Sequence, residues 1–209
     1  MAAVKPAGLP TANAPRDKAS LFTAIQGHLP PGAFVGVVSR LDAPVSGVVV
    51  MAKTKRAAAD LASQFRERSV EKSYLALCAG RFPAPLGEWV DWHDLLRRPT
   101  PPGLGGMEPE QAVHVRCRVT HRAGEVSLVE LEPSSGRRHQ LRAQLAGRGC
   151  PIVGDRMYGS RLPFPAGIAL HSWILAFDHP ASGERVRLEA PLPDAWKTRY
   201  PNVSPPRRG

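Results

Sequence analysis

The sequence of 209 residues is poor in cysteine and has no long apolar run. Its three cysteines, Cys78, Cys117 and Cys150, are widely spaced and form no Cys-x-x-Cys pair. We therefore expect reduced thiols, with neither a disulfide framework nor a zinc site. No run approaches the roughly 20 apolar residues of a membrane-spanning helix, and the first residues lack the apolar core of a signal peptide. These absences favour a cytoplasmic protein that needs no metal.

Acidic residues are also scarce relative to basic ones. Asp and Glu number 18 against 28 Lys and Arg, which gives a formal net charge of +10. Such an excess favours a polyanionic partner, most simply nucleic acid. An anionic membrane surface would explain the charge equally well, but no basic amphipathic helix stands out. Hydrophobic residues make up 43% of the chain, enough for a folded core.

Apolar periodicity and turn residues predict many short strands, mostly antiparallel, and about four helices. No repeat or long linker divides the chain, so we expect one α+β domain over residues 1–209, with a loose tail from about 201. The stretch 97–109 is dense in Pro and Gly and is predicted to be a loop. The predicted strands are 34–38, 48–52, 70–82, 86–96, 113–121, 126–131, 168–177 and 185–188, and the placed helices are 20–28, 54–68 and 137–148.

The loop at residues 39–47 holds an arginine and an aspartate between two buried strands. Taken alone, Arg40 and Asp42 fit a turn with two solvated charges better than a functional site. A carboxylate and a guanidinium on a rigid loop beside a sheet are, however, well placed for chemistry. Tyr74 opens the next predicted strand, where a tyrosine usually serves only packing.

A second basic cluster lies in the predicted helix at 137–148. On such a helix, Arg138 and His139 would share one face with Arg142, while Leu141 would face the core. Arg137, Arg138 and His139 would crowd the positive end of the helix dipole, which is unfavourable unless an anion lies there. A phosphate or a carboxylate would resolve the conflict; a merely solvated basic helix is the alternative.

These segments stand in a fixed order along nearly the whole chain. Residues 39–47, with 52–53 after them, resemble the catalytic loop of the RluA-type RNA pseudouridine synthases, and residues 72–76 resemble the second motif of that family. The other segments that match are residues 5–9, 136–142, 149–155, 158–159, 170–171 and 179–180. The resemblance implies the pseudouridine synthase fold, a largely antiparallel mixed sheet with flanking helices and a central basic RNA-binding cleft.

What the resemblance implies is an isomerase that needs no cofactor or metal. It would detach the uracil of a uridine in RNA, rotate it and rejoin it to ribose through carbon. Asp42 would be the essential carboxylate, either adding to the sugar or taking a proton to give a glycal-like intermediate; the sequence leaves both open. Arg142 would pair with Asp42. Tyr74 would lie against the uracil face and could help to remove the proton from carbon.

The remaining residues implied by the resemblance would bind the substrate. Arg40 would fill the space that the flipped uridine leaves, and Leu141 would close the apolar side of the base pocket. The expected partner is structured ribosomal or transfer RNA, bound by a monomer. Further basic residues expected in substrate binding are Lys72, Arg137, Arg138 and His139.

The chain also departs from the family pattern. Ser39, Val45 and Gln144 stand where the family usually has His, Thr and often His, at positions typical of support rather than chemistry. Only four residues precede Lys5, so we expect the strand before this turn to be shortened or absent. We also expect no separate RNA-binding domain before the catalytic part, so that the catalytic domain and the shape of the RNA would select the substrate.

Two alternatives come from other classes of protein. The first is a catalytically silent RNA-binding module or RNA-folding helper on the same scaffold. The second is a glycosidase acting on nucleosides, which is weaker because such enzymes often use paired carboxylates and no second carboxylate is evident beside Asp42.

Overall fold

One mixed sheet of nine strands organises the described part of the chain. The computed structural model describes residues 1–15, 17–96 and 110–206, so the loop predicted at 97–109 lies outside the described residues. The strands are β1 (Ala2–Lys5), β2 (Gly36–Val37), β3 (Ser46–Ala52), β4 (Glu71–Ala79), β5 (Trp89–Leu96), β6 (Gln111–Ala123), β7 (Val126–Pro133), β8 (Leu170–Asp178) and β9 (Arg185–Glu189).

The strand order is β1-β3-β8-β4-β7-β6-β5, with β2 paired to β3 and β9 paired to β8. The β3–β8 pair is parallel, while the other paired strands are antiparallel. Every residue of β3 is buried, as its unbroken apolar run predicts for a strand covered on both faces. The α+β architecture with a largely antiparallel sheet is therefore confirmed.

Helices flank the sheet, and the first two begin directly after capping residues. Ser20 and Thr23 form a capping box at the start of the first helix, and Thr54 accepts a hydrogen bond from the Ala57 N–H at the start of the second. The predicted helices at 20–28 and 54–68 are thus confirmed. The helices are α1 (Leu21–Gly27), α2 (Lys55–Glu67), α3 (Gln140–Gly147) and α4 (Asp194–Arg199). None of the helices in the described part of the chain is long and apolar enough to cross a membrane.

The helix predicted at 137–148 begins later than expected. It starts at Gln140, because His139 before it adopts a left-handed φ of 58° that no α-helix continues through. Arg137, Arg138 and His139 therefore precede α3, and the predicted sharing of one helix face by Arg138, His139 and Arg142 was wrong. Leu141 faces the core as predicted, with 7% of its surface exposed.

Both ends of the described chain are more ordered than expected. The strand expected to be shortened or absent before the turn at Lys5 is present as β1 and pairs with residues 47–50 of β3. After the unpredicted helix α4, Val203 is buried in the main core and its N–H donates to the Tyr200 carbonyl. Val203 is therefore packed against the core, whereas the sequence predicted a loose tail from about residue 201.

A buried histidine joins the two parallel strands. His171 of β8 is fully buried, and its Nε2 lies 3.2 Å from the Ala190 carbonyl oxygen, so that nitrogen carries the proton. Its Nδ1, 2.8 Å from the Ser46 Oγ, then accepts from that hydroxyl. Burial lowers the pKa of His171 to about 4, although the Ala190 carbonyl opposes the shift. The ring is therefore neutral at neutral pH.

We predict that His171 makes the fold sensitive to acid. Its pKa is 6.5 in a solvated chain and about 4 when folded, so the unfolded state binds the proton more readily. The stability it contributes is complete above pH 6.5 and is lost as the pH falls towards 4. Between pH 7 and pH 5, wild type should lose about 2 kcal/mol more unfolding free energy than His171→Gln, measured by urea denaturation. Parallel losses in the two proteins would contradict this assignment.

Candidate active site

Two buried side chains, those of Thr11 and Lys5, hold the loop that presents Asp42. Thr11 Oγ1 accepts from the Leu41 N–H at 3.0 Å and donates to the Leu41 carbonyl at 2.9 Å. On the other side of Asp42, the Lys5 ammonium donates to the Ala43 carbonyl at 3.1 Å. The backbone is therefore held immediately before and immediately after Asp42.

Lys5 is fully buried, which is rare for a lysine. Besides the Ala43 carbonyl, its Nζ reaches the carbonyl oxygens of Pro6 at 2.9 Å and Leu9 at 2.6 Å. Three acceptors match the three protons of an ammonium. Burial lowers the pKa of Lys5 to about 8, opposed by the nearby Asp42 charge. The ammonium is therefore still protonated at neutral pH and joins the early turn to the Asp42 loop.

At the end of the loop, the backbone of Gly47 packs directly against the backbone of β8. Gly47 has a φ of +123°, and a Cβ at this position would collide with the backbone of Ser172 on β8. Only glycine meets both conditions. Ser39, at the start of the loop, accepts from the Val50 N–H at 3.2 Å and donates to the Val50 carbonyl. It thus ties the loop to β3, a supporting role rather than a chemical one.

Arg142 of α3 is shared between two carboxylates. Its Nε and Nη2 donate to Asp155 at 2.6 and 2.8 Å, and its Nη1 donates to the Asp42 Oδ2 at 3.3 Å. Arg142 and Asp155 are only 4% and 1% exposed. Burial acts to lower the pKa of Arg142, but hydrogen bonds and charge from Asp155 and Asp42 outweigh it and raise that pKa. A permanent cation therefore faces Asp42.

Two aromatic rings complete the surroundings of Asp42. Tyr158 lies beneath the Arg142 guanidinium, 5.0 Å from its centre, and its hydroxyl is 3.1 Å from the His139 Nδ1. The His139 Nε2 lies 3.5 Å from the Asp42 Oδ2. Burial lowers the pKa of His139, with the charges of Arg142 and Arg138 acting in the same direction and the Asp42 charge opposing.

Tyr74 lies on β4 at a register shift between Ser73 and Tyr74, where the ladder to β8 is interrupted. Burial raises the pKa of Tyr74 to about 12; a hydrogen bond with Ser172 opposes this shift, and the Asp42 charge adds to it. The phenol is therefore uncharged across the neutral range. An uncharged ring beside a carboxylate is suited to lie against a flat, neutral ligand.

A cleft of about 360 Å³ opens over Asp42. Eight of the nine residues that the sequence predicted for the site line it: Arg40, Asp42, Tyr74, Arg137, Arg138, His139, Leu141 and Arg142. Of these, the three arginines outside α3 are exposed. The cleft therefore combines one ionic pair, apolar walls and a basic rim.

Lys72 is the predicted site residue that does not line the cleft. Burial, followed by the charge of Arg68 at the end of α2, lowers the pKa of Lys72 to about 8. Its ammonium thus lies near α2 rather than beside Asp42. A larger groove of about 1370 Å³, which includes Arg81, Arg122 and Glu125, contains none of the predicted site residues.

Sequence reasoning gave no chemical role to Lys5, Thr11, Asp155 or Tyr158, although three of them lie in segments of the resemblance. The signal for Asp155 was a carboxylate two residues after the apolar pair Ile152 and Val153, which indicates burial and hence a cationic partner. Thr11 offers no comparable signal. Gln144, where the family often has His, accepts from Gln140 and donates to Asp94, which is again a supporting role.

Comparisons with known proteins identify the family that the chain resembles. Residues 1–147 match the family model described as RNA pseudouridylate synthase. The chain is 36% identical over 182 residues to the dual-specificity RNA pseudouridine synthase RluA of Escherichia coli, covering 83% of this chain and 80% of that protein. It is 33% identical over 193 residues to the ribosomal large subunit pseudouridine synthase D of Nitrosomonas europaea. That alignment covers 84% of this chain but only 54% of the relative, so the chain spans about half of its length.

Solved structures show the same fold. The human RNA pseudouridylate synthase domain containing 1 superposes with a TM-score of 0.71 at 27% identity, covering 92% of this chain and 80% of that one. The human RNA pseudouridylate synthase domain containing 4 gives a TM-score of 0.76 at 24% identity, with coverages of 98% and 91%. The fold expected from the sequence motifs is confirmed.

We predict that Lys5 is essential to the order of the Asp42 loop. Lys5→Met keeps the apolar stem but leaves three carbonyl oxygens without their donor, which should cost about 2–4 kcal/mol of unfolding free energy. Urea denaturation measures the loss, and amide hydrogen exchange at Leu41 and Ala43 should speed up locally. Lys53→Met, at an exposed lysine, is the matched control; equal stabilities of the two variants would contradict the role of Lys5.

Proposed function

The chain belongs to the RNA pseudouridylate synthase family, and we propose that it isomerises a specific uridine in structured ribosomal or transfer RNA to pseudouridine, with Asp42 as the catalytic carboxylate. One observation carries the proposal: Asp42 projects into a basic cleft while a buried, permanently charged Arg142 contacts one of its oxygens. Family membership supports the class of reaction, and the geometry of the cleft supports Asp42 as the catalytic residue.

Charge and position suit Asp42 to cleavage of the glycosidic bond. The Arg142 guanidinium contacts the Asp42 carboxylate, the group that acts in both open mechanisms. In one, a carboxylate oxygen bonds to the sugar carbon as the bond to the uracil nitrogen breaks, and the electron pair leaves with the base. In the other, the carboxylate takes a sugar proton as that bond breaks, leaving a glycal-like intermediate. The detached base then turns, and its carbon bonds to the sugar carbon. In the first mechanism the bond between that sugar carbon and Asp42 breaks at this step; in the second, the sugar regains its proton from Asp42. The newly bonded base carbon loses its proton to solvent, and the freed uracil nitrogen takes one up.

Tyr74 serves as a platform in this scheme. A phenol whose pKa is raised to about 12 rarely ionises at neutral pH, and a neutral phenol is a poor base. Its ring can instead stack on the neutral uracil while the base is detached. This favours the first of its two expected roles over removal of the proton from carbon. Leu141 supplies an apolar wall of the same cleft.

The exposed arginines suit the handling of RNA. Arg40 stands at the cleft beside Asp42, where it can fill the gap left by a flipped nucleotide; flipping costs about a few kcal/mol. Arg137 and Arg138 lie on the rim before α3 and can pair with backbone phosphates. Selection of one uridine then depends on the shape of the RNA around the cleft.

The direct test is restoration of pseudouridine. RNA from cells lacking the protein is incubated with the purified chain, and pseudouridines are mapped throughout ribosomal and transfer RNA. The proposal expects new pseudouridine at one or a few positions that are unmodified in the deletion strain and modified in its parent. The absence of any new pseudouridine, with the RNA bound, would favour the silent RNA-binding alternative.

We predict that Asp42→Asn abolishes isomerisation but leaves RNA affinity within about tenfold, because removing a negative charge does not weaken phosphate contacts. Activity is read from pseudouridine content and affinity from filter binding at fixed salt. Asp17→Asn, at an exposed aspartate, should leave both unchanged. Growth of the deletion strain restored fully by Asp42→Asn would contradict a catalytic role.

We predict that Arg142→Ala loses both activity and stability. It leaves Asp155 buried without its cation, a change that costs about 3–5 kcal/mol. Unfolding free energy and turnover are measured together, and turnover is taken at a temperature where the variant is folded. Arg148→Ala, which breaks the pair with Asp94 at the other end of α3, is the control expected to keep turnover. Equal turnover by Arg142→Ala and wild type would refute the pairing with Asp42.

A further inference from the structure

Arg142 alone holds the Asp42 carboxylate loosely. Its Nη1 reaches the Oδ2 at 3.3 Å, since its Nε and Nη2 are engaged by Asp155. A carboxylate with one long contact can still turn about its Cβ–Cγ bond, because that torsion is broad. The imidazole of His139 is also near the same oxygen, with its Nε2 3.5 Å away.

His139 occupies a conformation that serves no purpose in its own helix. Its φ of 58° is unfavourable for a residue with a Cβ, and as the residue before α3 it makes no capping hydrogen bond with its side chain. The ring is directed at Asp42 and Tyr158 instead. A strained residue that contributes nothing to local capping points to a role at the site it faces.

The neighbours of the ring favour one position for its proton. A carboxylate only accepts, so the 3.5 Å contact between Nε2 and the Asp42 Oδ2 favours the tautomer that carries the N–H on Nε2. In a neutral ring Nδ1 is then an acceptor, and the Tyr158 hydroxyl 3.1 Å away donates to it. Burial lowers the pKa of His139 and raises that of Tyr158, which favours this neutral, hydrogen-bonded arrangement.

We propose that His139 and Tyr158 form a positioning arm for Asp42, in which Tyr158 fixes the His139 ring and the ring N–H steadies Oδ2, leaving Oδ1 to face the ribose. The proposal rests on the proposed function, and it moves His139 from substrate binding to positioning. Arg142 and His139 both approach this oxygen, at 3.3 Å and 3.5 Å. The arm and the Arg142 contact together restrict the carboxylate more than either contact does alone.

The state of the ring can be tested without activity. Nitrogen-15 chemical shifts of His139 in the full chain at neutral pH should show a neutral ring protonated on Nε2. Tyr158→Phe keeps the aromatic ring beneath Arg142 but removes the hydroxyl, and it should shift the Nδ1 resonance towards that of an acceptor without a donor. A ring protonated on Nδ1, or a resonance unaffected by Tyr158→Phe, would overturn the arm.

The effect on catalysis is tested by single-turnover rates on an RNA that wild type modifies. His139→Ala should slow isomerisation about a hundredfold, the cost of a misplaced reactive group, with no change in the RNA Kd. His139→Gln retains an N–H donor and should recover part of the rate. Tyr158→Phe should slow the reaction about tenfold, as expected for one lost hydrogen bond. The double variant Tyr158→Phe/His139→Ala should be no slower than His139→Ala, because Tyr158 acts through His139.

Other outcomes reject the positioning role. A weaker Kd with an unchanged rate would return His139 to RNA binding, and rate losses that follow the loss of Tm would make the pair merely structural. If the rate losses of the two single variants multiply in the double variant, Tyr158 acts independently of His139. His28→Ala, at an exposed histidine, is the control expected to match wild type. If wild type makes no pseudouridine, the proposed function fails, while the nitrogen-15 shifts still decide whether the arm exists.

Discussion

The buried guanidinium of Arg142, shared between Asp155 and Asp42, is the interaction on which the site depends. Asp155 is almost fully buried and accepts hydrogen bonds from two nitrogens of Arg142. The guanidinium therefore cannot turn to follow Asp42. A buried ion pair of this kind adds little net stability, because desolvation offsets the attraction. Its value lies in direction: it fixes a cation at one edge of the cleft and presents it to Asp42.

The sheet fixes the position of Asp42, the partner of Arg142, because the Asp42 loop is bound to the sheet at both ends. Ser39 joins the start of the loop to β3, and Gly47 lets the end of the loop lie directly against β8. Lys5 and Thr11 hold the residues next to Asp42. The carboxylate and the guanidinium therefore approach each other from two independently fixed elements, and the proposed catalysis would require this kind of preorganisation.

The sequence was most informative where chemistry is local. Asp42, Tyr74 and Arg142 each stand in a short segment of unusual composition, and the capped helices α1 and α2 follow from Ser20 and Thr54. Roles that depend on burial or long-range pairing were not predictable: the buried ammonium of Lys5 and the bidentate contact of Asp155 exist only in the folded chain. The late start of α3 was missed because a left-handed histidine has no propensity signal. Lys72 was predicted at the site because it lies in the same motif as Tyr74. Closeness in sequence, however, does not determine the direction in which a strand residue points.

The most direct measurement of the central claim follows the hydrogen on C5 of uridine. Rejoining the base to ribose through that carbon must release its hydrogen to water, whichever of the two proposed mechanisms opens the glycosidic bond. RNA tritiated at C5 of its uridines is incubated with the wild-type chain in single turnover. We predict tritium release equal to the pseudouridine formed at the modified position. Bound RNA that retains all of its tritium would contradict the account.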